Sequence, residues 1–170
     1  MKKCNKLFSL ILSTALIFAA ALPSSVFAAE NVNTVEWNDG DTIDGITISQ
    51  DTNIVVKGTV TVEKSINITN GNVLVSGGGK LMRSDTNLTS NIFSISGGNT
   101  TFKNISINGN NIEAEACGAI KVSSGKVVIN DGTVIENNIK RKQGAYNKTE
   151  GGSVIYAVGA AEISMNGGIL

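Results

Sequence analysis

Histidine is absent from this chain of 170 residues. That removes the side chain used most often as a general base near neutral pH and the commonest nitrogen ligand for metals. Proline occurs once, at Pro23, so the turns downstream must be made by other residues. Cysteine occurs twice, as Cys4 and Cys117. Cys4 precedes a leader's apolar run and is expected to leave with it, so no intramolecular disulfide can staple what remains. Long apolar stripes of helical period are also missing, which argues against a helical fold. A strong charge of either sign is lacking too. All 14 acids follow Ala28, whereas three of the 14 Lys and Arg precede it, so the remaining balance is 11 − 14 = −3. No nucleic-acid partner is suggested.

Residues 1–28 read as a signal peptide. Lys2, Lys3 and Lys6 make a positive start, Leu7 to Leu22 is an apolar run broken only by Ser and Thr, and Val26-Phe27-Ala28 offers small residues for cleavage. The run is too short and too quickly followed by that site for a membrane anchor, so no membrane span is expected after cleavage. The mature chain is expected to be secreted or held at a cell surface, and the short dilysine start resembles bacterial leaders.

What is present is short runs of Val and Ile with period 2, punctuated by Gly, Asn, Ser and Thr, the pattern of half-buried strands between turns. These runs repeat. NVLVSGGGKLM at 72–82 matches IFSISGGNTTF at 92–102, which places Val73 on Phe93, Val75 on Ile95 and Met82 on Phe102. A further 27 residues bring Phe93 onto Ile120, Ile95 onto Val122 and Phe102 onto Ile129, and IKVSSGKVVINDG recurs 36 residues on as YAVGAAEISMNGG. Upstream, Ile54 and Val56 align with Val73 and Val75 at a spacing of 19. Each repeat reads as three short strands, such as 93–95, 100–102 and 105–107. The third turn takes the insertions, at 108–118 and 137–152. Such a unit cannot bury an apolar face alone, but stacked units can form one inward column. The expected column is Val73, Val75, Met82, Phe93, Ile95, Phe102, Ile105, Ile107, Ile120, Val122, Val127, Ile129, Val134, Ile163 and Met165. Tyr156 turns inward in one register and outward in another.

On these residues the chain resembles the right-handed single-stranded parallel β-helix, the pectate-lyase-like (pectin lyase-like) solenoid. More narrowly, Gly118-Ala-Ile, Gly151-Gly152-Ser-Val-Ile and Asn130-Asp-Gly-Thr-Val-Ile-Glu-Asn137 are similar to the repeats of bacterial surface β-helix proteins, and outer-membrane adhesins carry a related pattern. The resemblance covers 46–170, with 29–45 as an N-terminal lead-in or cap. It is specific for fold and weak for activity. It implies an all-β parallel β-helix with three short strands per coil. Leu170 falls on Val134 at the 36-residue spacing, so the chain is expected to stop inside a third strand, as a C-terminally truncated solenoid.

The recurring asparagines Asn104, Asn130 and Asn166, with Asn110 and Asn137, are expected to be structural: their side chains bond turn backbone and tolerate left-handed geometry. Five Asn-x-Ser/Thr matches, at Asn67, Asn87, Asn99, Asn104 and Asn147, are what a turn-rich chain produces by chance. A lyase on such a fold needs a base beside carboxylates that hold Ca²⁺, and a hydrolase needs paired carboxylates. Asp131 and Glu136 build no acidic groove, because the equivalent of Asp131 is Gly167. The outward positions of the first strand, Leu74, Ser94, Lys121 and Ala157, form no catalytic set. No catalytic, cofactor-binding or metal site is expected. The one local concentration is 138–152, where Lys140, Arg141, Lys142 and Lys148 surround Tyr146 against Glu150. Such an insertion is first a solvated loop, where charges gather, and it can also meet an anionic glycan by charge and ring stacking. The expectation is therefore an exported, non-catalytic, adhesin-like surface protein contacting a polysaccharide or a host or wall glycan. The alternative is the N-terminal part of a polysaccharide lyase or glycoside hydrolase whose active site lies beyond residue 170.

Overall fold

The computed structural model describes residues 32–85, 88, 90–114, 118–140 and 154–170; the signal peptide expected at 1–28 and Cys117 lie outside them. Among the described residues there is no helix. The strands are β1 (Asn33–Trp37), β2 (Thr42–Ile48), β3 (Thr52–Val56), β4 (Thr59–Ile68), β5 (Asn72–Ser76), β6 (Lys80–Arg83) and β7 (Phe93–Ile95), then β8 (Asn99–Phe102), β9 (Ser106–Asn108), β10 (Glu113–Ala114), β11 (Ile120–Ile129), β12 (Val134–Glu136), β13 (Ile139–Lys140) and β14 (Ile155–Met165). Twelve of them form one sheet, and β10 and β13 form a small second one. Every described pairing is parallel, so the chain is an all-parallel β-protein whose sheet curls on itself, compatible with a β-helix or solenoid.

The pairings run in three series. The first ladder stacks 46–48, 66–68, 93–95, 120–122 and 155–157. The second stacks 33–37, 52–56, 72–76, 99–102, 126–129 and 162–165. The third stacks 42–43, 59–62, 80–83, 106–108 and 134–136, with Ile169 bridged to Val134. β4, β11 and β14 are long because each rounds a corner and serves two ladders. Among the described residues pairing thus begins at Asn33, upstream of the residues at which the repeat pattern becomes visible.

Alternation decides what faces inward. In β3 the buried residues are Thr52, Ile54 and Val56, and in β4 they are Val60, Val62, Ile66 and Ile68. β-Branched side chains suit this pleated geometry. Each buried Val, Ile or Phe contributes roughly 1.5–3 kcal/mol, most of it offset by chain entropy. The ladders meet in one core, where Phe93 and Phe102 pack edge to face with ring centroids 4.9 Å apart.

The stacking corrects several expectations. Val73 lies on Thr100 rather than opposite Phe93, and Val75 lies on Phe102; Phe93 instead stacks on Ile66. Ile54 pairs with Val75, not Val73. The 27-residue matches hold: Phe93 pairs with Ile120 and Phe102 with Ile129. Met82 and Val134 point outward and are half-buried; the inward residues there are Leu81, Arg83 and Ile135. Ile163 and Met165 stack in register on Val127 and Ile129, yet they are 39% and 49% exposed. Ile169, not Leu170, pairs with Val134. Tyr156 pairs with the outward Lys121, and a bulge between Val122 and Ser124 absorbs the one-residue difference that made its register ambiguous.

Candidate functional site

The outer side of the first ladder carries one continuous row: Thr47, Asn67, Ser94, Lys121 and Tyr156 stand in register on successive strands. Asn67 and Tyr156 therefore occupy the outward positions that sequence matching gave to Leu74 and Ala157. Two residues further along, just past the ends of β2, β4 and β7 and within β11, a second row follows of Ser49, Thr69, Ser96 and Ser123, while the residue two after Tyr156 is Val158. Three of its hydroxyls are oriented by the strand beneath. Thr69 Oγ1 donates to the Ile48 carbonyl at 3.2 Å, Ser96 Oγ to Ile68 at 3.5 Å and Ser123 Oγ to Ile95 at 3.3 Å. A hydroxyl whose proton is committed in this way offers its lone pairs outward. In the first row the amide of Asn67 donates to the Ser65 carbonyl at 3.3 Å, and Lys121 brings an ammonium.

This face differs from the other two in having no large aliphatic side chain in its first row. The second ladder shows Asn53, Leu74, Thr101 and Val128 in one outward row, and the third shows Thr61, Lys80, Met82 and Val134. The first ladder presents short hydroxyl and amide groups, one cation and one phenol, with no carboxylate in either row. Chemically it can exchange hydrogen bonds with a polyhydroxylated ligand. It has no pair of acids for hydrolysis, and no group of His, Cys, Asp and Glu suited to a metal occurs among the described residues.

The connections that enter this face are the long ones. They span 84–92, 109–119 and 137–154, whereas the other two corners stay short. Arg83 anchors the first of them. It is only 1% exposed and donates to the carbonyls of Leu88 at 2.8 Å, Gly118 at 2.5 Å and Ser90. Ser65 Oγ, on β4, donates to the Asn91 carbonyl at 2.6 Å. β10 and β13 pair the second and third connections with each other. Lys140 is on β13, while Arg141, Lys142, Tyr146 and Lys148 lie outside the described residues.

The asparagines expected to be structural divide into two uses. Asn166 Nδ2 donates to Asn130 Oδ1 at 3.1 Å, one rung of side-chain stacking. Asn104, Asn110 and Asn137 hold left-handed backbone at φ of 50°, 57° and 56°. Asn104 faces Asp131 rather than Asn130, its N–H donating to the Asp131 carbonyl at 3.1 Å. A second rail escaped sequence reading. Asn99 Nδ2 donates to Asn72 Oδ1 at 2.9 Å, and Asn72 donates to Asp51 through both its backbone N–H and its amide. These bonds, the backbone one first, hold the Asp51 carboxyl below its ordinary pKa. The signal was available as an acid or amide just after each Gly or Gln turn, but only with the correct stacking. Lys64 is raised above its ordinary value by its bond to Asp44 at 2.7 Å.

No protein-family model, curated protein or solved structure matches the chain.

Proposed function

We propose that this protein is an exported, non-catalytic surface protein built as a right-handed parallel β-helix of pectate-lyase-like type, three strands to a coil, whose outer face contacts a glycan. The order in which the chain visits the ladders (second, third, first, then second again) supports the coil. The pattern of residues 1–28 supports export.

The carrying observation for glycan contact is the carboxylate-free double row on the first ladder, with Asn67, Ser94, Lys121 and Tyr156 in register. Rows of neutral donors and acceptors match vicinal sugar hydroxyls, and a phenol ring offers a stacking surface. The connection 137–154, which contains Lys140, Arg141, Lys142, Tyr146 and Lys148, runs directly into the strand that carries Tyr156. Its basic residues adapt the face to an anionic wall or host polymer.

The test is binding of the purified chain to a panel of neutral and anionic polysaccharides, with Lys121→Ser/Tyr156→Ala and Lys140→Ser/Arg141→Ser/Lys142→Ser as variants. Weakened binding in both variants, with folding intact, supports the reading. Equal binding by both variants removes it. Release of new sugar ends that stops on changing an Asp or Glu establishes the enzyme alternative.

A further inference from the structure

Three Asn-Gly pairs lie among the described residues, Asn70-Gly71, Asn108-Gly109 and Asn166-Gly167, and their surroundings differ sharply. Asn-Gly is the dipeptide at which an amide side chain is attacked most readily by the next backbone nitrogen, because glycine offers no steric hindrance. The reaction needs the Asn carboxamide free to turn and the glycine N–H free of a partner.

Asn108 meets neither condition. It is 7% exposed, its Nδ2 donates to Glu136 Oε1 at 3.0 Å and its Oδ1 accepts from the Asn110 N–H at 2.7 Å. The nitrogen that would attack, on Gly109, donates to the Glu136 carbonyl at 2.9 Å. Asn166 is exposed but tethered, its Nδ2 held by Asn130 Oδ1. Asn70 is exposed and its carboxamide makes no hydrogen bond, and the Gly71 N–H makes none either.

We infer that Asn70 is a site of spontaneous self-modification, deamidating in the folded protein while Asn108 is protected and Asn166 is slowed. The Gly71 nitrogen gives its proton to solvent base and attacks Asn70 Cγ. The Cγ–Nδ2 bond breaks, Nδ2 takes one proton from water and leaves as ammonia, and a cyclic imide joins residues 70 and 71. Water then opens the imide at either carbonyl, leaving aspartate or isoaspartate at position 70. No oxidant or reductant is involved.

The place of this turn gives the reaction a structural consequence. Gly71 lies against the backbone of Gln50 with φ +90°, and Gly98 lies against Gly71 in turn. Isoaspartate adds a backbone carbon beside this stack, next to the bond between Asn72 and Asp51. Modified molecules therefore start to come apart here.

The experiment incubates the purified full chain in mildly alkaline buffer, folded in one arm and urea-unfolded in the other, and follows all three Asn-Gly peptides by mass spectrometry. In the unfolded arm the three convert at similar rates. In the folded arm Asn70 converts at least about tenfold faster than Asn108, as local protection requires, with Asn166 between them. Folded-state conversion of Asn70 no faster than that of Asn108 or Asn166 overturns the inference. So does an intact Asn70 in the folded arm after the unfolded arm has reacted.

Discussion

Single residues in this fold are constrained by the strand below and the strand above. Thr100 is the clearest case. It lies between Val73 and Val127 in the second ladder, fully buried, and its Oγ1 finds no hydrogen-bond partner. A hydroxyl left unpaired in an apolar column costs about 1–3 kcal/mol. Thr100→Val, which keeps the shape and drops the hydroxyl, is therefore expected to raise stability by about 1 kcal/mol, read as a higher urea midpoint at unchanged slope. Asp51 gives a pH signature. Its folded pKa is held below the ordinary value by Asn72, so its contribution is fully present above the unfolded carboxylate pKa of 3.8 and is lost as pH falls through the lower folded value. Asp51→Asn should flatten the acid limb of the stability profile below pH 3.8 and leave stability near neutrality lower by a pH-independent amount. An unchanged acid limb would show that the carboxylate is not coupled to folding.

The strand is the scale at which sequence and structure can be compared most directly. The strands expected at 93–95, 100–102 and 105–107 lie at 93–95, 99–102 and 106–108, so they were legible from alternation and from Gly and Asn punctuation. So were the long connections after 108 and 136, but not the one at 84–92. Which strand lies on which was not legible. Alternation fixes the face a residue takes but is blind to a shift of two residues, or to a match between strands of different ladders. Hence Val73 and Phe93 looked equivalent: both point inward, on neighbouring faces. Met82 failed for another reason. β6 belongs to the third ladder, and its inward pair is Leu81 and Arg83. A reader expecting apolar residues inside chooses Met over Arg. Burying a guanidinium is tolerated here because the carbonyls of Leu88, Ser90 and Gly118 converge on it, and those lie 5, 7 and 35 residues away. The polar rows of the first ladder were hidden in the same way, since they exist only once the stacking is known. Arg83→Met should cost several kcal/mol, by leaving those carbonyls without their donor, and should raise proteolysis within 84–92 before global unfolding. Gly98 sets a second limit between strands. With φ +70° and a missing Cβ that would strike the Gly71 carbonyl, Gly98→Ala is expected to cost more than about 2 kcal/mol in urea unfolding.

Over the whole molecule, a parallel stack of this kind gains stability from neighbours rather than from any one element. A strand paired on both sides has its backbone groups bound twice and its inward side chains covered from both directions. β8 is such a strand, lying between β5 and β11 with Phe102 fully buried. β14 is the longest strand by residue count, yet among the described residues it pairs only with β11. Its inward Ile163 and Met165 are partly uncovered, and Ile169 beyond it is 66% exposed. If length governed stability, β14 would be the most protected segment. If neighbours govern it, β14 opens first and β8 opens only with the whole. Hydrogen exchange followed by mass spectrometry separates the two outcomes. Amides of 126–129, which bond on to a further strand, should exchange far more slowly than those of 162–165, which carry the same inward pattern one rung later. Ile163→Ala should then lower global stability by less than Val127→Ala, although isoleucine is the larger side chain, because the half-uncovered site has less contact to lose. Equal protection in the two segments, or a larger loss at Ile163, would mean that the rung at 162–165 is covered in solution.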